Sequence, residues 1–189
     1  MPPIDSKIAL VTGSTKGIGN AIAAALHGEG ARVIVHGRDP DEARRVCTEL
    51  GYHGSVAGDL ADADACESIL TQLAEHDPVD ILVNNAGVFG VADFFTIDDD
   101  EWLRYLQTNL MSAVRLSRAL LEGMLERGQG RIVNIASEAG IKPLPQMIHY
   151  SVTKTALMGL SRGLAELTKG SAVTVNSLLP GPTLSLIHI

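Results

Sequence analysis

Six short runs of apolar, often β-branched residues punctuate the chain: KIALVTG (7–13), ARVIVHG (31–37), GSVAGD (54–59), VDILVNNAG (79–87), GRIVNIAS (130–137) and AVTVNSLLPG (172–181). Within them apolar residues tend to follow one another instead of alternating with polar ones, the pattern expected of strands buried on both faces. Between the runs lie stretches of helical periodicity: GIGNAIAAALHGEG (17–30), PDEARRVCTELG (40–51), DADACESILTQLAEH (62–76), a long one from about Asp99 to Arg127, and one from about Tyr150 to Lys169. The acidic run DDDEW (98–102) suits a helix N-terminus, where carboxylates meet the positive end of the helix dipole. Strand and helix in regular alternation predict an α/β fold: a doubly wound parallel sheet with right-handed crossovers and helices on both faces. No linker, repeat or low-complexity segment interrupts the pattern, so a single domain is expected over residues 1–183.

Composition narrows the picture. A chain of 189 residues can bury one substantial core. The formal net charge is −7 and no long basic run occurs, which argues against a nucleic-acid surface. Cys47 and Cys66 are the only cysteines, without CxxC or Cys/His spacing; this points to a reducing compartment and no structural metal. The opening MPPIDSKIALVTG lacks the basic-then-apolar order of a signal peptide, and no apolar run approaches the roughly 18 residues of a membrane span. A cytoplasmic protein with no membrane partner is the expectation.

The first apolar run passes directly into TGSTKGIG (12–19), with a helical pattern behind it. Gly13, Gly17 and Gly19 follow GxxxGxG spacing. Glycines allow a tight turn and close backbone approach, and a helix N-terminus then offers free N–H groups to a pyrophosphate. Strand, glycine loop and helix in that order indicate a Rossmann-type dinucleotide site built from Gly13, Ser14, Thr15, Lys16, Gly17, Ile18 and Gly19. Further on, Tyr150 and Lys154 stand four residues apart, which puts a phenol and an ammonium on one helical face. That spacing alone also fits an ordinary solvated face.

Taken together these motifs resemble the short-chain dehydrogenase/reductase family, in particular its oxoacyl-reductase-like members, and the likeness extends over nearly the whole chain. TGSTKGIG is similar to the family's cofactor loop, Asp59 with Leu60 to its adenine pocket, and NNAG (84–87) to the motif that braces the sheet beside the cofactor, contributing Asn85, Ala86 and Gly87. Asn109, Ser137, Tyr150 and Lys154 match its catalytic tetrad, with Ser137 thirteen residues before Tyr150. Pro180, Gly181 and Thr183 match the segment near the nicotinamide.

The resemblance implies that Tyr150 exchanges a proton with the substrate oxygen. Its phenol, ordinarily near pKa ~10, would be lowered by the Lys154 ammonium. Lys154 would also hold the nicotinamide ribose, and Ser137 would bond the substrate oxygen. Asn109, a poor helix former inside a long helical stretch, would mark a kink holding a water that relays protons from Lys154. His149 points away from Tyr150 and receives no catalytic role. In the family pattern Gly37 takes the usual acidic position after the second strand, with Arg38 next. A guanidinium there suits a 2′-phosphate, and Lys16 can add charge, so NADP(H) is favoured with NAD(H) as the alternative. Asp39 is the counter-evidence, since it could swing in.

The expected activity is therefore hydride transfer between NADP(H) and a small-molecule carbonyl or secondary alcohol, without metal. Two rivals stand beside it: an NAD-preferring dehydrogenase of a sugar-acid or steroid hydroxyl, and a cofactor-binding sensor or scaffold without turnover. A homodimer or homotetramer is expected of a full-length form, from apolar residues on more than one helix face: Leu106, Leu110, Val114, Leu121, Met124, Leu157, Leu160, Leu164 and Leu167. Family members continue for several dozen residues past PGPT (180–183), forming a substrate lid and a last strand. Here LSLIHI (184–189) follows, which translates CTGTCTCTTATACACATC, a transposase end sequence used in preparing DNA libraries. The tail is expected to be non-native, the chain truncated and inactive as it stands, and the sixth strand an apolar open edge.

Overall fold

The computed structural model describes residues 4–182. Six strands form one parallel sheet in the order β3-β2-β1-β4-β5-β6. They are β1 (Ile8–Val11), β2 (Arg32–Gly37), β3 (Gly54–Ala57), β4 (Ile81–Asn84), β5 (Gly130–Ile135) and β6 (Val173–Leu178), each inside its predicted run. The connecting helices are α1 (Gly17–Gly28), α2 (Pro40–Leu50), α3 (Ala63–Leu73), α4 (Asp99–Leu106), α5 (Ser112–Glu126) and α6 (Ile148–Leu167). Strand order reverses between β1 and β4, so a crevice opens at the carboxyl ends of those strands. This is the Rossmann-type sheet that the sequence predicts.

Alternation along each strand sends side chains into two cores. Leu10, Ile34, Leu82 and Ile132 pack with Ile69 of α3 and Leu116 and Met124 of α5. Val11, Val33, Val35 and Val83 pack on the other face with Ala23 of α1 and Val46 of α2. The expectation of burial on both faces holds for β1, β2 and β4 and fails at the sheet edges. In β6, Val173 and Val175 are buried beneath α6, while Thr174 and Asn176 are exposed and Leu178 is 54% exposed. The edge predicted to be apolar is thus half polar, because only one face of β6 is covered among the described residues.

Three helices begin with an aspartate that caps the first N–H groups. Asp39 accepts from Asp41 N and Glu42 N at 2.8 and 3.1 Å, Asp62 from Asp64 N at 2.8 Å, and Asp98 from Glu101 N at 2.8 Å. Each cap contributes about 1 kcal/mol. The DDDEW run is therefore a capped start, as its acidity suggests. α1 is different: Lys16 stands at its N-cap and makes no side-chain cap bond.

The single long helix expected from Asp99 to Arg127 is instead two helices joined by a π-helical turn, Gln107–Met111. Asn109 sits in the middle of that turn. Behind the crevice, a buried polar chain ties the strands to the helices. Asn84 Nδ2 donates to Asn134 Oδ1 at 2.8 Å and Ser117 Oγ at 3.3 Å. Asn134 Nδ2 donates to Ser161 Oγ at 2.8 Å, and Ser177 Oγ donates to the same oxygen at 2.7 Å. In a low-dielectric interior such a network fixes register between its members.

Candidate active site

The glycine loop leaves β1 through Thr12 and turns at Gly13, whose φ of +61° lies in the left-handed region that glycine tolerates. The turn is braced from β4. Asn85 Nδ2 donates to Thr12 O at 2.9 Å and Gly13 O at 3.2 Å, while Thr12 Oγ1 accepts from Asn85 N and Ala86 N, both at 2.9 Å. Gly19 passes so close beneath the loop that a Cβ there would lie 2.3 Å from Gly13 O. The loop and the NNAG segment are thus one interlocked unit. Thr12, the first residue of TGSTKGIG, belongs to that unit as a brace and is not singled out by the sequence among the site residues.

Not every residue expected at the cofactor faces it. Ser14 is turned inward: its Oγ donates to Val11 O at 2.7 Å and accepts from His36 N at 3.0 Å. The side chain of Leu60 belongs to the core, and its carbonyl accepts from Arg115 Nη1 at 3.3 Å, which leaves only the backbone N–H for a ligand. Asn85 spends its amide on the loop. By contrast Thr15, Lys16, Gly17 and Ile18 are at least partly exposed at the uncapped start of α1, and a Cβ on Gly17 would meet nothing within 4 Å. Open N–H groups at a helix N-terminus fit a dinucleotide pyrophosphate.

At the end of β2 the position that is acidic in the family pattern is Gly37, closely approached by Thr15. A Cβ at Gly37 would lie 2.7 Å from Thr15 Cγ2. Arg38 is exposed and makes no side-chain hydrogen bond or ion pair among the described residues. Asp39 does not swing toward the site, because its carboxylate is held as the cap of α2. Asp59 is exposed beyond β3, with Oδ1 accepting from Ala61 N at 2.9 Å.

Across the crevice, Ser137, Tyr150 and Lys154 converge. Ser137 lies two residues past β5 and caps the short turn Glu138–Gly140, accepting from Ala139 N at 3.2 Å; its hydroxyl is close enough to the Tyr150 phenol to favour the phenolate. Lys154 lies one turn along α6 from Tyr150, with Nζ 5.6 Å from the phenol ring centroid. One of its N–H groups donates to Ile135 O at 2.8 Å. Burial lowers the Lys154 ammonium to about 8. Burial also raises the Tyr150 phenol, and the Ser137 bond opposes that rise. Desolvation of the phenolate is thus the dominant effect on Tyr150, opposite in sign to the lowering expected from Lys154.

Asn109 is fully inside. Oδ1 accepts from Val88 N at 2.7 Å, and Nδ2 donates to Val88 O at 2.9 Å and Thr153 Oγ1 at 3.0 Å. The π-helical turn rotates this amide inward, where it ties the segment after NNAG to α6. Gly87 lies against it, since a Cβ there would be 3.2 Å from Asn109 Oδ1 and 3.6 Å from Lys154 Nζ. Thr153, whose Oγ1 donates to Tyr150 O at 2.7 Å, joins the site without any signal in the sequence pattern. His149 is buried against Tyr105 at 4.1 Å between ring centroids, away from the crevice as expected.

Pro180 O accepts from Glu138 N at 3.1 Å, which brings Pro180 and Gly181 beside Ser137. Thr183 and the tail 184–189 lie outside the described residues. Among the described residues no group of His, Cys, Asp or Glu could hold a metal ion, and no helix is long and apolar enough to cross a membrane. Both cysteines are free thiols.

Known proteins share this arrangement. A family model described as short chain dehydrogenase matches residues 7–188. The uncharacterized oxidoreductase YvrD of Bacillus subtilis (strain 168) is 53% identical over 183 residues, covering 95% of this chain and 70% of that protein. The crystal structure of L-sorbose reductase from Gluconobacter frateurii, complexed with NADPH and L-sorbose, superposes with a TM-score of 0.91 at 35% identity, over 97% of this chain and 72% of that one. The 3-oxoacyl (acyl-carrier-protein) reductase from Agrobacterium tumefaciens C58, with NADP bound, gives a TM-score of 0.93 at 33% identity, over 98% and 73%. With its glycine loop, NNAG segment and convergent Ser137, Tyr150 and Lys154, the chain belongs to the short chain dehydrogenase family, the oxidoreductases that act on carbonyl and alcohol groups with NAD(P).

Proposed function

We propose that this chain carries the site of an NADP(H)-preferring carbonyl reductase or alcohol dehydrogenase for small molecules. The observation that carries the cofactor choice is the end of β2. Gly37 brings no carboxylate and is crowded by Thr15, Asp39 is committed to capping α2, and the Arg38 guanidinium is free to pair with a 2′-phosphate. The NADPH and NADP named with the two solved relatives support the same choice. One observation favours the NAD-preferring alternative: Glu42 Oε2 accepts from Thr15 Oγ1 at 3.3 Å, which puts a carboxylate beside the loop.

The bound nicotinamide supplies or accepts the hydride. The rest of the chemistry falls to this chain's side chains. Ser137 Oγ holds the substrate oxygen next to Tyr150. In reduction the phenol gives its proton to that oxygen as the hydride arrives at carbon; in oxidation the phenolate takes the proton back. At neutral pH the phenol is protonated, as any tyrosine is, and burial raises it further. Lys154 lies at the nicotinamide end, and the π-helical turn around Asn109 is where a proton-relaying water would be held. The two free thiols accord with a reducing, cytoplasmic setting. A homo-oligomer fits the half-exposed Leu106, Leu110, Val114 and Leu160 and the exposed Leu167; Leu121, Met124 and Leu157 are core residues and drop out of that surface.

Tyr150→Phe tests the assignment. NADP+ binding should persist within about threefold, because the phenol contributes at most one hydrogen bond to the cofactor. Carbonyl reduction by a catalytically competent form carrying the same substitution should fall by a factor of about 100 or more, the usual scale of general acid catalysis. Unchanged turnover in that variant would refute the role of Tyr150, and a sensor without turnover would show no reduction in either form.

A further inference from the structure

One histidine lies inside the sheet. His36 interrupts the apolar run VIVHG of β2 and is 3% exposed. Both ring nitrogens are used. Nδ1 accepts from Gly13 N at 3.0 Å, and Nε2 lies 3.1 Å from Gly58 O. A ring nitrogen that accepts from an N–H carries a lone pair, and one that faces a carbonyl carries the proton, so these partners select the neutral Nε2–H tautomer. Burial, which lowers His36 to about 4 against smaller opposing effects from the Gly58 bond and Asp59, maintains that state. The backbone adds two bonds: His36 N donates to Ser14 Oγ at 3.0 Å, and Ser14 N donates to His36 O at 2.9 Å.

Gly13 turns the phosphate loop, and Gly58 precedes Asp59, so one imidazole joins the two segments that flank the adenosine half of the crevice. We propose that His36 is a positioning residue for the dinucleotide, an imidazole clasp that sets the glycine loop by holding Gly13 N–H and fixes its distance from the Asp59 segment through Gly58. The bond to Gly13 sets cofactor affinity, because it points that N–H away from the ligand and leaves the uncapped start of α1 to receive the pyrophosphate. The proposal rests on the reading of this loop as the dinucleotide site.

Three substitutions separate the two arms of the clasp. His36→Asn places Oδ1 where Nδ1 stands and restores an acceptor for Gly13, but cannot reach Gly58. His36→Gln can reach Gly58 and leaves Gly13 without an acceptor. His36→Phe keeps a ring and loses both. NADP+ affinity by calorimetry should stay within about threefold for Asn and fall about tenfold or more for Gln and Phe, the scale of one hydrogen bond to a buried donor. Amide exchange at Gly13 in the cofactor-free protein should quicken in Gln and Phe and remain slow in Asn. If Phe fails to fold, the Asn–Gln pair carries the comparison. NADP+ affinity that is equal in all forms, or Asn no better than Gln while Gly13 stays protected in both, would overturn the proposal. Failure of the unmutated protein to bind NADP+ would overturn the dinucleotide reading and the proposal with it. The two failures are distinguishable, because exchange at Gly13 reports on the clasp without any cofactor.

Discussion

An ammonium buried to 5% exposure, as Lys154 is, works against the fold that holds it. Its value of about 8 lies below the ordinary 10.5, so between those pH values the unfolded chain binds more protons than the folded one. Stability is therefore predicted to rise with pH across that window and to carry the full penalty below it, up to about 3 kcal/mol. Lys154→Met should be more stable than the unmutated protein at pH 7 by about 2 kcal/mol, once the lost bond to Ile135 O is offset. The gap should narrow at pH ~9.5, as read from urea midpoints at both values. A Met variant less stable at pH 7 would mean that the hydrogen bond outweighs the desolvation. A site residue that destabilises its own fold accords with the chemical role proposed for Lys154 beside Tyr150.

The informative element is the π-helical turn between α4 and α5. A continuous α-helix would carry Asn109 along the helix surface. The wider turn swings it inward, where three hydrogen bonds tie Val88 to Thr153 and so couple the segment after NNAG to the helix that bears Tyr150 and Lys154. Asn109→Ala would strand the N–H and C=O of Val88. It should cost about 2–4 kcal/mol, measured by urea denaturation. An unchanged midpoint would show that the turn holds itself without the amide. Helix starts differ in the same functional sense. Asp39, Asp62 and Asp98 close theirs with a carboxylate, and α1 stays open toward the crevice.

Over the whole molecule, the parallel sheet follows from the apolar runs and the glycine loop from its place between strand and helix, while Ser137, Tyr150 and Lys154 follow from the family resemblance. What pattern could not supply is direction. Ser14 and Leu60 stand inside recognisable motifs, yet their side chains face the core, because motif position fixes the backbone while the pleat and local hydrogen bonds decide where a side chain goes. The break at Asn109 is expected as a kink, from a poor helix former and the family resemblance; its π-helical form is not, since a π turn depends on partners distant in sequence. His36 was hidden for the same reason: it is a lone polar residue in an apolar strand, and its role appears only when the loop after β3 is placed beside it. The half-open face of β6 follows from cover on one side only among the described residues, which strand composition cannot reveal. The exposed Leu103 and Leu167, with half-exposed Leu106, Leu110 and Leu160, predict self-association at micromolar concentration. Light scattering should give a mass of two or more chains; a monomer would count against it.

The proposed recognition of NADP(H) by Arg38 at the end of β2 is tested by a pair of binding titrations, NADPH and NADH, on the unmutated protein and on Arg38→Asp. NADPH should bind the unmutated protein at least about tenfold more tightly than NADH, and Arg38→Asp should weaken NADPH by about 2–3 kcal/mol while sparing NADH, as expected for loss of a charge-assisted contact to phosphate. Equal affinities for the two cofactors in the unmutated protein would contradict the account.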